Sequence, residues 1–411
     1  MIDKAKSWLL QCLEHHQCGA PLPFFDNAGN GLPTRLLDVS TRPDTPSSHI
    51  RLVNSNDISS SGQGDDEPLV YFALSHCWGP EGIPGAGKTT LSSLPQRQTA
   101  IDIDTLPLNF QHAIRITRDF GADYLWIDAL CIIQDSVKDW LEEGARMGAV
   151  YSNACLTLAA ASSGKAADGF LGHGPVSTPR KHIPLRLDTT GLQEPELGPV
   201  DVLLYSHRSL SVFEPKFLDK LKRGTHLLAQ RAWCLQENVM SGRVLHFVAG
   251  GELVWECREG LRNEFLDFSY GDEIWSAIVP KIASLRPACV QLGHMLTGEL
   301  DALDLWYNHV VPDFTSRSIT FDSDRLAAVG SIARAVAWKC GWTGEDYIAG
   351  AWSKDLGRSL AWKMAEFNAY DKHKCGNTTQ NTTGSSQAKS TEWRNPSWSW
   401  VSARAPVVFE M

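Results

Sequence analysis

Leu69-Val70-Tyr71-Phe72-Ala73-Leu74-Ser75 is a continuous apolar, β-rich run that opens into a Gly/Pro-rich stretch reaching Lys88, and it reads as a buried strand entering a functional loop. Downstream, Phe110, Ala113, Ile114, Ile116 and Thr117 recur at helical spacing between Leu108 and Phe120, with Gly121 as the stop. Tyr124-Leu125-Trp126-Ile127-Asp128 follows as a second buried strand. A helix over Asp135 to Tyr151 comes next, with Ser136 and Asp139 near its start, and Cys155 to Ala161 is a third apolar strand. Strand, helix, strand, helix, strand is the alternation of a parallel sheet with right-handed crossover helices. Residues 67–172 are therefore expected to form an α/β core of flavodoxin-like topology.

Residues 1–66 read as an N-terminal extension: an amphipathic helix over Asp3 to His16, then short strands at Pro33 to Val39 and His49 to Val53. After a linker over Gly172 to Gly198, residues 173–260 supply a strand at Val200 to Tyr205 and a helix over Leu227 to Met240. They end in a hairpin over Gly242 to Cys257 that turns at Ala249-Gly250-Gly251. Residues 261–411 read as mainly helical, with a helix over Asp324 to Lys339 capped by Asp322 or Ser323. A low-complexity, disordered loop is expected at 371–392 and a last strand at Ser397 to Val401.

The chain has 411 residues, 43% hydrophobic and 21% charged, with a formal net charge of −9, so it can bury a large core and carries no basic run to follow a phosphate backbone. Nucleic acid is not expected as the main partner, and no apolar stretch is long enough to span a bilayer. The ten cysteines are mostly scattered singly, which fits reduced thiols in a cytosolic or nuclear protein, and a cytoplasmic location is expected. The sequons at Asn377 and Asn381 then meet no sugar machinery. Most of the fifteen tryptophans, among them Trp126, Trp233, Trp255 and Trp338, lie in apolar segments and are expected in the core, with a minority lining a cleft.

Ala73-Leu74-Ser75-His76-Cys77-Trp78-Gly79 combines with Leu106-Pro107, with Tyr124 to Asp135, with Asp139-Trp140-Leu141-Glu142-Glu143 and with Met147 to Ala154. In this order and spacing the blocks resemble the fungal heterokaryon incompatibility (HET) domain. Arg231-Ala232-Trp233-Cys234-Leu235-Gln236-Glu237, Ser241 to Leu245 and Trp255-Glu256-Cys257 are similar to that family's second block. Pro33-Thr34-Arg35-Leu36 and Pro396 to Trp400 resemble flanking segments. Two departures are His76, where the family often has Tyr, and Ala232, where Gly is usual. The resemblance implies a role in fungal non-self recognition and programmed cell death. Through a distant likeness of HET domains to Toll/interleukin-receptor (TIR) domains, it also implies a TIR-like core and NAD as a substrate rather than a cofactor. Expected partners are a small-molecule or nucleotide ligand, further copies of the chain and an incompatibility partner protein. A non-enzymatic signalling adaptor and a stand-alone enzyme of secondary metabolism are the alternatives.

Asp128 ends a buried strand and Glu143 sits on the next helix, so both are placed to reach the crevice at the carboxyl ends of a parallel sheet. Two carboxylates there suit glycosyl chemistry, one of them stabilising an oxocarbenium-like transition state. Trp140-x-x-Glu143 resembles the Trp-Cys-x-x-Glu segment of catalytic TIR domains, one residue shorter, and makes Glu143 the first catalytic candidate; Asp128 competes with a role as a turn cap. Ser75, Cys77 and Trp78 follow the first core strand, where an indole stacks on a base or plugs the core. Gln134 suits a water or ribose hydroxyl, or else loop backbone. Arg231, Trp233, Gln236 and Glu237 share one helix, as ligand contacts or as an ion pair docking that helix.

Gly82 to Thr89 matches GxxxxGK[ST] literally, but no strand leads directly into it and Pro95 interrupts any helix after it, so triphosphate binding is not expected. The segment Glu81 to Gln98 suits a lid over the pocket. Cys12, His15, His16 and Cys18 are close enough to share a zinc ion, yet no partner pair is evident elsewhere, and no metal is expected.

Overall fold

A computed structural model of the chain describes residues 2–20, 22–25, 32–41, 47–59, 69–171, 182–187, 200–205, 227–248, 251, 253–263, 288–365 and 395–410. The first helix, α1 (Ile2–His15), buries Ala5, Trp8, Leu9 and Cys12 along one stripe. Strands β1 (Arg35–Asp38), β2 (His49–Asn54), β3 (Tyr71–Ser75) and β4 (Ile101–Asp102) precede helix α2 (Leu108–Asp119). Then come β5 (Tyr124–Trp126), the short helix α3 (Asp128–Cys131), α4 (Val137–Asn153) and β6 (Leu156–Ala159). A separate antiparallel pair, β7 (His182–Leu187) with β8 (Val200–Tyr205), is followed by α5 (Ala232–Met240) and by β9 (Arg243–Phe247), β10 (Leu253–Cys257) and β11 (Gly260–Asn263). Helices α6 (Ala288–Thr297) and α7 (Ala327–Lys339) belong to the largely helical remainder.

Nine strands make one sheet in the order β11-β10-β9-β6-β3-β5-β1-β2-β4. The α/β expectation holds, and the four central strands β9, β6, β3 and β5 are parallel. Numbered by their own chain order these four run 2-1-3-4, beginning at β5, which is the start of the flavodoxin-like doubly wound order. Both flanks are antiparallel, so the whole sheet is mixed: β1 and β2 come from before the core, the short edge strand β4 from the segment between β3 and α2, and β10 and β11 from the chain after β9. Every residue of β3 and β6 is buried, as expected of strands covered by helices on both faces.

Helices α4, α5 and α7 pack on one another over one face. Tyr71 and Tyr151 tie α4 down: the Tyr71 hydroxyl donates to the Val150 carbonyl at 2.6 Å, and the Tyr151 hydroxyl to Leu74 at 3.1 Å. The Tyr151 ring also meets Trp126 edge-on at 5.5 Å, so the buried aromatics carry a specific geometry as well as area. Trp8, Trp126, Trp255, Trp306, Trp352 and Trp400 are wholly buried, but Trp338 is 43% exposed, against the expectation that it is core.

Three boundaries differ from the sequence reading. Ser397 to Val401 is no strand: Ser399 caps a 3-10 turn at Trp400–Ser402, because its hydroxyl accepts from the Val401 amide, and the last strand is Val407–Phe409. Asp322 to Asp324 forms its own 3-10 turn, and the helix to Lys339 starts at Ala327 without a side-chain cap. The linker holds β7. The hairpin turn at Ala249-Gly250 and the loop at 371–392 lie outside the described residues.

Candidate functional site

In a doubly wound sheet the two crossovers that leave the first strand in opposite directions open a crevice at the strands' carboxyl ends. Here that place is the end of β3, between β5 and β6. The chain leaves β3 through Ser75-His76-Cys77-Trp78 and turns at Gly79, whose φ of +89° and whose missing Cβ, which would stand 2.5 Å from the Lys165 Cβ, both demand glycine. Beside it, β5 ends at Trp126, and Ile127 alone separates it from Asp128, the first residue of α3.

Asp128 gathers this end of the sheet. Its Oδ2 accepts the Trp78 indole N–H at 2.9 Å and its Oδ1 accepts the Ala129 amide at 2.7 Å. His76 Nδ1 lies 3.7 Å from Oδ1. Burial drives the His76 imidazole down to about 4, against the opposing pull of Asp128, so at neutral pH the ring in this contact is neutral. The Asp128 side chain stays 22% exposed, so part of it reaches solvent at this end of the sheet. Lys88 Nζ stands 5.7 Å from the centre of the Trp78 ring.

A second carboxyl lies deeper. Ser75 Oγ donates to Glu237 Oε2 at 2.5 Å, and burial raises the Glu237 carboxyl to about 7, opposed by that hydrogen bond and by Arg231. Arg231 donates to the His76 carbonyl at 2.6 Å. The structure thus brings Ser75, Trp78, Asp128, Arg231 and Glu237 together at this end of the sheet. His76 and the Ala129 amide join them without having been foreseen; the signal for His76 was its place between two candidates at a strand end.

The structure places the other candidates against packing or backbone partners. Cys77 turns into an apolar cluster with Cys234, Val244 and Val254, and burial pushes both thiols up, so neither is a thiolate at neutral pH. Gln134 Nε2 donates to the Asp128 and Ile132 carbonyls at 3.1 and 2.9 Å and closes the α3 turn. Gln236 Oε1 accepts the Ser331 amide at 2.8 Å and docks α7. Trp233 is half-buried and meets Trp140 edge-on at 6.4 Å. Glu143, 2% exposed, accepts from the Thr34 hydroxyl and lies 3.8 Å from Arg146 Nη1. Its Oε2 is buried with no hydrogen-bond partner. Nearby, Arg35 pairs with Asp139 at 2.5 Å and donates to the Cys131 carbonyl, so this network fixes β1 against α3 and α4.

Gly82 to Thr89 makes no phosphate loop. Gly85–Gly87 is a 3-10 turn, Lys88 is extended, and the buried Thr89 hydroxyl donates to the Leu130 carbonyl at 2.6 Å, where a nucleoside triphosphatase would need it on the metal. Against the lid expectation, the segment is tied into the body: Thr89 bridges Ile133, and Arg97 Nη2 donates to the Ala86 and Lys88 carbonyls at 2.8 and 2.6 Å. Among the described residues one Cys/His group has metal-ligand spacing, Cys12, His16, Cys18 and Cys257, and it lies at the opposite ends of the parallel strands, beside the start of β9. His15, expected with them, is 71% exposed and faces Glu14.

The family model described as Heterokaryon incompatibility protein (HET) matches residues 71–237. No curated protein and no solved structure matches the chain. The match begins at the first residue of β3 and ends at Glu237, so Ser75, His76, Trp78, Asp128, Arg231 and Glu237 all fall within it. No described helix is long and apolar enough to cross a membrane. The chain carries a heterokaryon incompatibility (HET) domain at residues 71–237.

Proposed function

We propose that this chain acts in fungal non-self recognition and cell death by hydrolysing NAD in the crevice at the end of β3. The observation that carries the reading is Asp128, a part-exposed carboxylate held by the Trp78 and Ala129 N–H groups at the carboxyl end of a central parallel strand. A carboxylate so placed accepts hydrogen bonds from ribose hydroxyls and stabilises positive charge developing at the anomeric carbon. The bond between that carbon and the nicotinamide nitrogen breaks, its electron pair neutralises the pyridinium, and nicotinamide leaves without needing an acid. Water adds to the anomeric carbon and gives up a proton. Trp78 supplies a ring for stacking and Glu237 a nearby proton-holding group. In this reading Glu143 is a positioning residue that holds Thr34 and β1.

The test is nicotinamide release from NAD by the purified full chain at high concentration, beside Asp128→Asn and Glu143→Gln, with fold checked by circular dichroism. Release lost in folded Asp128→Asn and kept in Glu143→Gln supports the assignment. Release that survives Asp128→Asn, or none from the wild type at any concentration, overturns it.

A second reading, the non-enzymatic adaptor, has one observation in its favour. Leu91, Val137 and Leu141 are exposed by 58, 77 and 58%. The Leu91 amide donates to Asp135 at 2.8 Å, next to the start of α4, and Val137 and Leu141 are one helical turn apart, so the three share one surface. Loss of toxicity on Leu141→Glu together with its retention in Asp128→Asn favours the adaptor.

A further inference from the structure

We propose that Cys12, His16, Cys18 and Cys257 bind one structural zinc ion that staples α1 to the antiparallel flank of the sheet. Their ligand atoms, three Sγ and one imidazole nitrogen, all lie within 4.8 Å of one another. Ligands around tetrahedral zinc, with Zn–S bonds of about 2.3 Å, stand roughly 3.8 Å apart, so closing the site takes shifts of about an ångström or less. Cys257 Sγ and His16 Nδ1 are already 3.4 Å apart.

The local fold brings them together without strain. Cys12 lies in the last turn of α1 and His16 directly follows its last residue, with the His16 amide donating to the Cys12 carbonyl at 3.1 Å, so the two stay one helical turn apart. Cys18 follows on the next turn, and Cys257 ends β10, opposite Arg243 of β9. Gly242 lets the Cys18 backbone come close, because a Cβ there would stand 2.3 Å from the Cys18 carbonyl oxygen.

Three features select zinc and a structural role. Thiolates with one imidazole form the soft donor set zinc prefers over magnesium or calcium. The protein supplies all four positions, and Cys12, Cys18 and Cys257 are each 1% exposed, so the site is closed to substrate. Three thiolates and a neutral imidazole around a divalent ion leave one net negative charge, and the Arg243 guanidinium answers it: its Nε donates to Cys12 Sγ at 3.1 Å in a buried setting. Glu259 accepts the Gln17 amide at 2.7 Å and fixes the segment between His16 and Cys18. Apolar side chains would fill the same space without a buried cation, so packing alone does not account for this group.

The test is elemental analysis of the full chain purified without chelators. About one zinc per chain is expected, released in step with modification of the thiols by a mercurial. Cys257→Ser is expected to fall to roughly a tenth of that or less, while Cys340→Ser, outside the cluster, keeps the full complement. Where Cys257→Ser does not fold, the wild type is stripped and reloaded with cobalt, and a sulfur-to-cobalt charge-transfer band with tetrahedral ligand-field bands is expected. Folded wild type without zinc and without cobalt bands overturns the proposal, as does a disulfide among the three cysteines or zinc retained in folded Cys257→Ser.

Discussion

Trp78 and Asp128, fifty residues apart in the chain, are joined by a hydrogen bond of 2.9 Å from the indole N–H to Oδ2. It ties the loop after β3 to the turn after β5, and with Lys88 near the ring it holds the indole in one orientation at the crevice. Trp78→Phe removes the donor and keeps a ring. Because Asp128 remains part-exposed and water can replace the donor, the stability loss should be about 1 kcal/mol by urea denaturation. On the proposed reading Trp78→Phe retains ligand affinity within about tenfold, whereas Trp78→Ala loses about 1–3 kcal/mol of stacking. Equal affinity losses in both variants would show that the hydrogen bond, not the ring, matters.

Glu237 makes stability depend on pH. Burial raises its carboxyl from 4.5 to about 7, so between these values the folded chain holds a proton that the unfolded chain has released. Stability from this group is therefore full below about 4.5 and falls by a few kcal/mol as pH rises to 7, where it levels off. Glu237→Gln keeps an acceptor for Ser75 and removes the titration. Urea midpoints of wild type should fall relative to Glu237→Gln between pH 5 and pH 8. Parallel curves would mean that Arg231 keeps the carboxylate ionised throughout.

Arg35 and Asp139 form a largely buried pair, 8% and 15% exposed, that pins β1 to the start of α4. Removing one partner leaves the other charge in place without compensation, and Arg35→Met should cost about 3 kcal/mol. Arg35→Met combined with Asp139→Leu should recover part of that loss, and a double-mutant cycle reads the coupling. Strictly additive losses would show that the pair contributes only through packing.

The parallel core was legible because β3, β5 and β6 are short apolar runs separated by a helix with clear periodicity, by Gly121 and by the Ser136 cap, which accepts from the Asp139 amide. Local pattern carries such elements. It does not carry where distant strands pair: β1 lies far in sequence from β5 and β9 far from β6, and nothing in Arg35-Leu36-Leu37-Asp38 says that it pairs antiparallel with β5. The same limit hid the partners of the carboxylates. Glu143 and Glu237 both sit on helices near the core, and only the tertiary fold assigns Thr34 to one and Ser75 to the other. Cys257 escaped for this reason too, since a residue 239 positions beyond Cys18 leaves no spacing to recognise.

Gly242 tests how firmly the N-terminal helix is held. Its Cβ would meet the Cys18 carbonyl oxygen at 2.3 Å, and that atom is backbone, so Gly242→Ala has to push the residue 18 turn away from β9. Overpacking of this kind costs about 1–3 kcal/mol. The damage should be local, because the displaced segment carries Cys12, His16 and Cys18 while the β3, β5 and β6 strands keep their own pairing. Amide exchange in residues 2–18 should accelerate in Gly242→Ala with the central strands unchanged. Zinc content, if the Cys/His group holds the ion, should fall with it. Uniform acceleration across the chain would instead make α1 part of the global folding unit, and no acceleration anywhere would mean that the turn can retreat without strain.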